Sequence, residues 1–127
     1  MRRVVIDMKN YLFADAIARA LQSADSDFDV YRIEKQGDTA AHCQLVQPYA
    51  LLMEVSGYPP LQLEQRLKLR DEVKRECPMC KIVLIVDENA EKAQAVKVLQ
   101  AKRDGLIDQF IYGSISAAYL SAVIDTL

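Results

Sequence analysis

The sequence of 127 residues has no tryptophan, one histidine, four scattered glycines and three cysteines. Without a glycine-rich loop it offers no standard cradle for a nucleotide phosphate, and His42 has no suitably spaced serine or aspartate for a catalytic triad. The odd number of cysteines argues against the disulfide framework of a secreted domain. No apolar run approaches the roughly 18 residues that span a bilayer. A strand-like segment follows Met1 almost at once, so we expect no signal peptide, no membrane association and a cytoplasmic location.

Neither sign of charge dominates the chain, whose formal net charge is −2. This balance lacks the basic footprint of a nucleic-acid-binding domain, so we expect no direct contact with nucleic acid. Hydrophobic residues make up 51% of the chain and charged residues 27%, which is typical of a globular protein. The length suits one domain, over residues 1–127.

Five short apolar runs alternate with five helix-like stretches. The predicted strands cover residues 3–6, 28–33, 50–55, 82–86 and 110–112. The third and fourth are nearly continuous apolar runs, as in strands that are covered on both faces. Strict alternation of strand and helix predicts parallel strands joined by right-handed crossovers. We therefore predict an α/β, three-layer flavodoxin-like fold with a five-stranded parallel sheet in the order 2-1-3-4-5 and five helices.

Polar residues and prolines mark the predicted helix starts, which are Asn10, Asp38, Pro59-Pro60, Asn89 and Ser116. In the short second helix we expect Ala41, Leu45 and Val46 to face inward, and the apolar residues of the predicted fourth helix are Ala95, Val96 and Leu99. Gly105 is predicted to end the fourth helix.

Glu54 closes the apolar run of the third strand and stands just before a turn. Ligands of open α/β sheets bind beyond the carboxyl ends of the strands. A buried strand that delivers one carboxylate to this edge therefore marks Glu54 as the centre of a candidate site.

Three segments resemble parts of one known family. Residues 37–54 resemble its second helix and third strand, and residues 82–89 its fourth strand and switch loop. Residues 110–120 resemble its fifth strand and final helix. That family is the receiver domain of bacterial two-component response regulators, and the resemblance covers essentially the whole chain. It implies a role in phosphorelay signal transduction.

The chemical positions that the resemblance implies are almost all altered. Receivers hold Mg²⁺ with an acidic pair after the first strand, where this chain has only Asp7, followed by Met8. Glu54 replaces the phosphoacceptor aspartate, and Asp87 replaces the hydroxyl residue that reads the phosphoryl group. The lysine after the fifth strand falls at Gly113. The aromatic switch position is kept, as Phe110.

These changes remove much of the machinery for transferring a phosphoryl group to a carboxylate, a reaction that needs cations to neutralise the transferring oxygens. Asp87 adds a negative charge facing the incoming phosphate. At about 4 Å, like charges repel by roughly 4 kcal/mol at an effective dielectric near 20. We therefore interpret the chain as a pseudo-receiver, a signalling domain that is not an enzyme and needs no cofactor.

Two further hypotheses concern the acidic residues. Glu54, one methylene longer than aspartate, is proposed to imitate a phosphorylated aspartate, although the groups that would sense it are missing. Asp7, Glu54 and Asp87 are expected to converge in one acidic pocket without a cation. Residual Mg²⁺ or Ca²⁺ binding there is one interpretation, and a vestigial, solvated rim without metal is the favoured one.

The Cys77-Pro78-Met79-Cys80 segment has the spacing of a redox or zinc half-site. It ends a predicted helix and precedes a strand, the reverse of the thioredoxin arrangement. We interpret it as helix termination with two partly buried thiols.

The resemblance implies that the chain works by binding a protein partner or an output domain. The surface that family members use is formed by the fourth helix, fifth strand and fifth helix, where Lys97, Lys102, Tyr112 and Tyr119 are the candidate contacts. One possible partner is a second copy of the chain. A homodimer formed through this face is expected to bury more than about 1,000 Å² of surface in total. The alternatives are a phosphorylatable receiver with Mg²⁺-dependent phosphoryl transfer and the regulatory fragment of a DNA-binding transcription factor.

Overall fold

The protein was analysed as a computed structural model, which describes residues 1–114 and 117–127, without the side chains of residues 117 and 118. Strands and helices alternate along the whole chain. In order they are β1 (Arg2–Asp7), α1 (Tyr11–Ala24), β2 (Phe28–Arg32), α2 (Thr39–Val46), β3 (Ala50–Val55), α3 (Leu63–Glu76), β4 (Lys81–Val86), α4 (Lys92–Arg103), β5 (Gln109–Tyr112) and α5 (Ala117–Asp125). No helix in the described part of the chain is long and apolar enough to cross a bilayer.

The five strands form one parallel sheet in the order β2-β1-β3-β4-β5. Both the fold class and the strand order predicted from the sequence are confirmed. Parallel neighbours put all five carboxyl ends at one edge, which is the edge where loops can build a site.

Each face of the sheet buries its own apolar cluster, because successive side chains of a strand point to opposite faces. Val5, Leu51 and Met53 pack under α2, α3 and α4. Val4, Ile6 and Leu52 pack under α1 and α5. This alternation decides to which face each polar residue at the carboxyl edge belongs.

Two of the predicted helix starts need correction. Asn10 does cap α1, accepting a hydrogen bond from the Phe13 amide. Pro59-Pro60 lies before α3, which begins at Leu63. Asn89 does not start α4 either, since the Asp87 side chain accepts its amide and holds it in a turn. Ser116 lies outside the described residues.

The inward face predicted for α2 is wrong for Ala41 and Leu45, whereas Val46 is half-buried and packs against the core. Thr39 and Cys43 are buried, whereas Ala41 is exposed and Leu45 is 82% exposed. The Thr39 hydroxyl donates to Asp7 at 2.6 Å, and this bond agrees with a helix that turns its Thr39–Cys43 side inward. Of the apolar residues named for α4, Ala95 is buried and Leu99 is half-buried, whereas Val96 is 70% exposed.

All three cysteines are free thiols, and each is buried. Helix α3 ends at Glu76, and Cys77 caps it. Cys43, Cys77 and Cys80 belong to the apolar cluster under α2, α3 and α4. Buried thiols of this kind are inert side chains of the core. Cys77 and Cys80, interpreted from the sequence as partly buried, are almost completely buried.

Candidate functional site

Glu54 lies at the carboxyl end of β3, on the sheet face covered by α1 and α5. Its Oε1 atom accepts two backbone hydrogen bonds from the loop after β1, from the Lys9 amide at 2.7 Å and the Asn10 amide at 3.0 Å. Amides at a helix N-terminus favour negative charge. The carboxylate is thereby held against the start of α1.

Asp87 and Glu91, which follow β4, also bond to backbone amides. Asp87 Oδ1 accepts from the amides of Asn89 and Ala90, both at 3.0 Å, and so closes its own loop. Glu91 Oε2 accepts from the Gly57 amide at 2.8 Å, which fastens the loop after β3. The loops at this edge are therefore tied by carboxylate–amide bonds.

These groups line a cavity of about 380 Å³ that we call the carboxylate pocket. Four carboxylate side chains line it, and no lysine, arginine or histidine is found among its described lining residues. They are Glu54, Asp87, Glu88 and Glu91. The negative charge of the lining is therefore not balanced by a cationic side chain among the described lining residues.

Gly113 stands where the resemblance places a lysine, and the Phe13 ring lies beside it. A Cβ atom built on Gly113 would be 3.2 Å from Phe13 Cε2 and 3.7 Å from Asp87 Cα. The space next to Gly113 is therefore narrowed by an aromatic ring of α1, which closes off one side of the carboxylate pocket.

Asp7 does not join this pocket, so the expectation of three converging carboxylates is wrong. Asp7 follows Ile6 on β1 and points to the other sheet face, where the Arg66 guanidinium pairs with it at 2.9 Å. Thr39 donates a second hydrogen bond to the same carboxylate oxygen, at 2.6 Å. The expected absence of a cation is also wrong for Asp7, which has a buried arginine beside it.

Arg66 joins the ends of two strands from the first half of α3. Its Nε donates to the Glu54 carbonyl oxygen at 2.7 Å, and Nη2 donates to the Asp7 carbonyl oxygen at 3.0 Å. Only 4% of the side chain is exposed. Buried charges persist where they are paired and hydrogen-bonded, and Arg66 satisfies both conditions.

The sequence analysis did not identify Arg66. The strand pattern, however, was sufficient to predict that Asp7 and Glu54 lie on opposite faces of the sheet. Counting in twos along β1 and β3 puts Asp7 on the face of Val5, and Glu54 on the face of Leu52. In the parallel register Asp7 pairs with Met53, and Glu54 pairs with Ile85. Glu54 and Asp87 therefore share a face that Asp7 does not reach.

The arrangement does not fit the divalent ion that receivers hold. Within residues 1–114 and 117–127, no group of three or more His, Cys, Asp or Glu side chains is placed to bind a metal ion. The Asp7 carboxylate is taken by Arg66 and Thr39, and Oε1 of Glu54 by two amides. The described residues therefore do not form a metal site of the receiver type.

The residues expected to form an interaction face lie on α4, β5 and α5. Lys97 is exposed and pairs with Glu64 of α3 at 3.2 Å, while Lys102 is half-buried. Tyr112 is 36% exposed and Tyr119 59%. Phe110, the candidate switch residue, is partly buried, and its ring packs edge-on against Tyr112 at 5.3 Å.

Solved structures with the same architecture include several response regulators. A response regulator from Thermotoga maritima is 14% identical, with a TM-score of 0.76 over 99% of this chain and 96% of that one. A CheY-like receiver domain protein from Methanospirillum hungatei JF-1 is 16% identical, with a TM-score of 0.75 over 99% and 92%. A LuxR-family DNA-binding response regulator from Staphylococcus aureus is 10% identical, with a TM-score of 0.73 over 99% and 95%.

No protein-family model matches the sequence, and no curated protein matches it either. The similarity therefore lies in the backbone. The chain has the fold of a response-regulator receiver domain.

Proposed function

We propose that this chain is a receiver-type signalling domain that accepts no phosphoryl group and acts by binding another protein. The proposal rests on the hydrogen bonds and the charged neighbours of Glu54. Its Oε1 atom already accepts two backbone amides, and three further carboxylates line the same pocket. Receiver domains are in general signalling domains rather than enzymes, and the fold agrees with that role.

Electrostatics at the carboxylate pocket oppose phosphorylation. A phosphoryl donor is an anion, and its transfer needs a cation near the oxygens that gain charge. The lining residues supply none, and the nearest buried cation described, Arg66, donates to the Glu54 carbonyl oxygen and to Asp7 on the opposite face. A dianion brought to this pocket meets four carboxylates and no cationic side chain among the described lining residues.

Incubation with acetyl phosphate and Mg²⁺, followed by intact-protein mass spectrometry, tests the first half of the proposal. We expect no gain of a phosphoryl group by the wild-type chain. The Glu54→Gln variant, treated in parallel, controls for modification elsewhere. A gain seen in the wild type and abolished in Glu54→Gln would establish the phosphorylatable alternative instead.

The face formed by α4, β5 and α5 is the surface that we propose for the protein partner. Val96, Tyr112 and Tyr119 give it exposed apolar area, and Lys97 lies at its α3 side. Contiguous exposed apolar patches are typical of interaction surfaces, and we propose that these side chains form one.

Self-association is the form of this proposal that can be measured with the chain alone. Sedimentation equilibrium of the wild type is compared with Val96→Glu and with Leu45→Glu, a matched change at another exposed apolar residue, on α2. We expect the dimer dissociation constant to rise at least about tenfold for Val96→Glu only, a loss of about 1.4 kcal/mol. Equal effects of the two variants, or a wild type that stays monomeric, would contradict pairing through this face.

A further inference from the structure

A second cavity, about 790 Å³ in volume, opens at the same edge of the sheet, beside Asp7. We call it the Asp7 cavity. Cavities that bind small molecules measure about 300–1,000 Å³ and combine largely apolar walls with a few polar groups. The volume of the Asp7 cavity lies within that range, and its lining decides which kind of molecule it can hold.

Apolar side chains form a large part of the lining. Ile6 and Leu61 are buried beside the cavity, and Met8, Ile33 and Leu69 are half-buried. A half-buried apolar side chain keeps part of its surface in contact with water. A ligand that covers this surface gains the favourable free energy of burying apolar area. The lining therefore favours a molecule with an apolar body.

The charged side chains of the lining are balanced in number. Three are acidic and three are basic, namely Asp7, Glu34, Glu72, Lys9, Arg32 and Arg66. Arg66 pairs with Asp7 at 2.9 Å, and Arg32 pairs with Asp15 at 3.0 Å. The remaining lysine and the two glutamates are exposed to solvent. A charged ligand would thus lose hydration on entering without meeting an excess of opposite charge.

Hydrogen bonds and a ring contact join the elements that surround the cavity. Arg66 of α3 donates to the Asp7 carbonyl oxygen at 3.0 Å, and Thr39 of α2 donates to the Asp7 side chain at 2.6 Å. The Arg32 guanidinium of β2 lies 4.2 Å from the centroid of the Tyr11 ring of α1. The cavity is therefore preformed, and a ligand does not have to order its walls in order to bind.

We propose that the Asp7 cavity binds an uncharged, mainly apolar small molecule of about the size of a substituted indole or cyclohexane. Apolar contacts with Met8, Ile33, Leu61 and Leu69 hold the ligand. Ions of either sign are disfavoured, because the charges of the lining do not compensate for lost hydration. Glu54 does not line this cavity, so the proposal is independent of whether Glu54 accepts a phosphoryl group.

Two carboxamides, each compared with a carboxylate of the same shape, test the selection against charge. The pairs are indole-3-acetamide with indole-3-acetate and cyclohexanecarboxamide with cyclohexanecarboxylate, and tryptamine is the cationic counterpart of the first. In ¹H–¹⁵N spectra of the wild-type chain near neutral pH, we expect at least one carboxamide to bind with a dissociation constant below about 1 mM. The amides of Gly37, Gln65 and Leu69, which belong to the lining, should shift, whereas that of Gly113 in the carboxylate pocket should not. The charged counterparts should bind at least about tenfold more weakly, because the charge is desolvated without gaining a counter-ion.

Three results would overturn the proposal. They are no binding of either carboxamide at several times that concentration, a charged counterpart that binds as tightly as its carboxamide, and shifts confined to residues outside the lining.

A protein variant gives an independent reading of where the ligand lies. Leu69→Trp fills part of the cavity and should weaken carboxamide binding at least about tenfold. Leu45→Trp, at an exposed residue of α2 outside the lining, should leave binding unchanged. Equal binding by the two variants would place the ligand elsewhere and contradict the proposal. Because the comparison of probes uses the wild-type chain, it decides the question even if Leu69→Trp fails to fold.

Discussion

The two faces of the sheet treat an acidic side chain at the carboxyl edge in opposite ways. Under α2 and α3, Asp7 pairs with a buried arginine and a buried threonine. Under α1 and α5, Glu54 shares its pocket with three carboxylates and bonds only to backbone amides. The comparison shows that an edge carrying several acids need not be one site, because the alternation of a strand divides it in two.

Removal of the arginine should have the largest effect. In Arg66→Met the Asp7 carboxylate stays partly buried, 18% exposed, without its cation, and the Glu54 carbonyl oxygen loses its donor. Breaking a buried pair by removing one partner costs about 3–5 kcal/mol. We expect the free energy of unfolding, measured by urea denaturation, to fall by about 3 kcal/mol.

Arg19→Met is the matched control, since Arg19 pairs with Asp15 on the surface and is 79% exposed. It should cost less than about 0.5 kcal/mol. The double variant Asp7→Asn/Arg66→Met should recover part of the loss, because the uncompensated charge is gone. An Arg66→Met variant as stable as Arg19→Met would mean that the two faces do not differ as described.

The fold was predictable because it depends on patterns that the sequence displays directly. The continuous apolar runs of β3 and β4 and the regular alternation with helices define a parallel sheet, and Asn10 marks the start of α1. Helix phase was less predictable where both sides of a helix carry apolar residues. Leu45 and Cys43 compete for the inward side of α2, and Cys43 occupies it.

The separation of the acidic residues onto two faces of the sheet could be predicted from the sequence, but the role of Arg66 could not. Counting in twos along β1 and β3 would have separated Asp7 from Glu54. Arg66 is different, since it lies 59 residues from Asp7 in the chain and within a helix rich in charged residues. Only the packing of α3 on the sheet selects Arg66, rather than Arg70 or Lys74, to reach the edge.

Cys43 is buried on the same face of the sheet as Asp7, and the reactivity of its thiol can be used to measure how often that face opens. Burial, together with the neighbouring Cys77 thiol and the Asp7 carboxylate, raises the pKa of the Cys43 thiol to about 12. This raised pKa contributes stability that is fully present below the ordinary value of 9.0 and is lost as the pH rises towards 12. Native Cys43 should therefore resist alkylation at neutral pH.

Alkylation by iodoacetamide should then distinguish the two faces. Labelling of a buried thiol follows the population of opened molecules. A loss of about 3 kcal/mol in Arg66→Met should accelerate modification of Cys43 about a hundredfold, as measured by peptide mass mapping over time. In Glu54→Gln we expect no acceleration. Equal acceleration in both variants would show that the two faces open together.

On the other face, the charge of Glu54 should matter less than its hydrogen-bond acceptor. Glu54→Gln keeps an oxygen for the Lys9 and Asn10 amides and removes one of four like charges, so stability should change by less than about 0.5 kcal/mol. Glu54→Ala removes the acceptor and should cost about 1 kcal/mol. A loss in Glu54→Gln as large as in Glu54→Ala would mean that the charge itself holds the loop.

Glu54→Gln also decides whether Glu54 imitates a phosphorylated aspartate. A mimic must communicate its charge to the rest of the domain. Chemical shifts of the amides in the loop after β4 and in β5 should therefore change if the hypothesis holds. Unchanged shifts there, with unchanged self-association, would eliminate it.

The smallest effect that we predict is the response of the carboxylate pocket to salt. Repulsion among its carboxylates is screened as the Debye length shortens to about 10 Å at 0.1 M. Gly113 has no positive φ, so Gly113→Lys supplies an ammonium group if the Phe13 ring yields by a few tenths of an ångström. Raising NaCl from about 0.02 M to about 0.3 M should increase the free energy of unfolding, because salt screens the repulsion. This increase should be about 0.5 kcal/mol smaller for Gly113→Lys than for Gly113→Gln, since the lysine already neutralises part of the charge. An equal gain in the two variants would show that the pocket lacks the uncompensated charge that distinguishes it from the surroundings of Asp7.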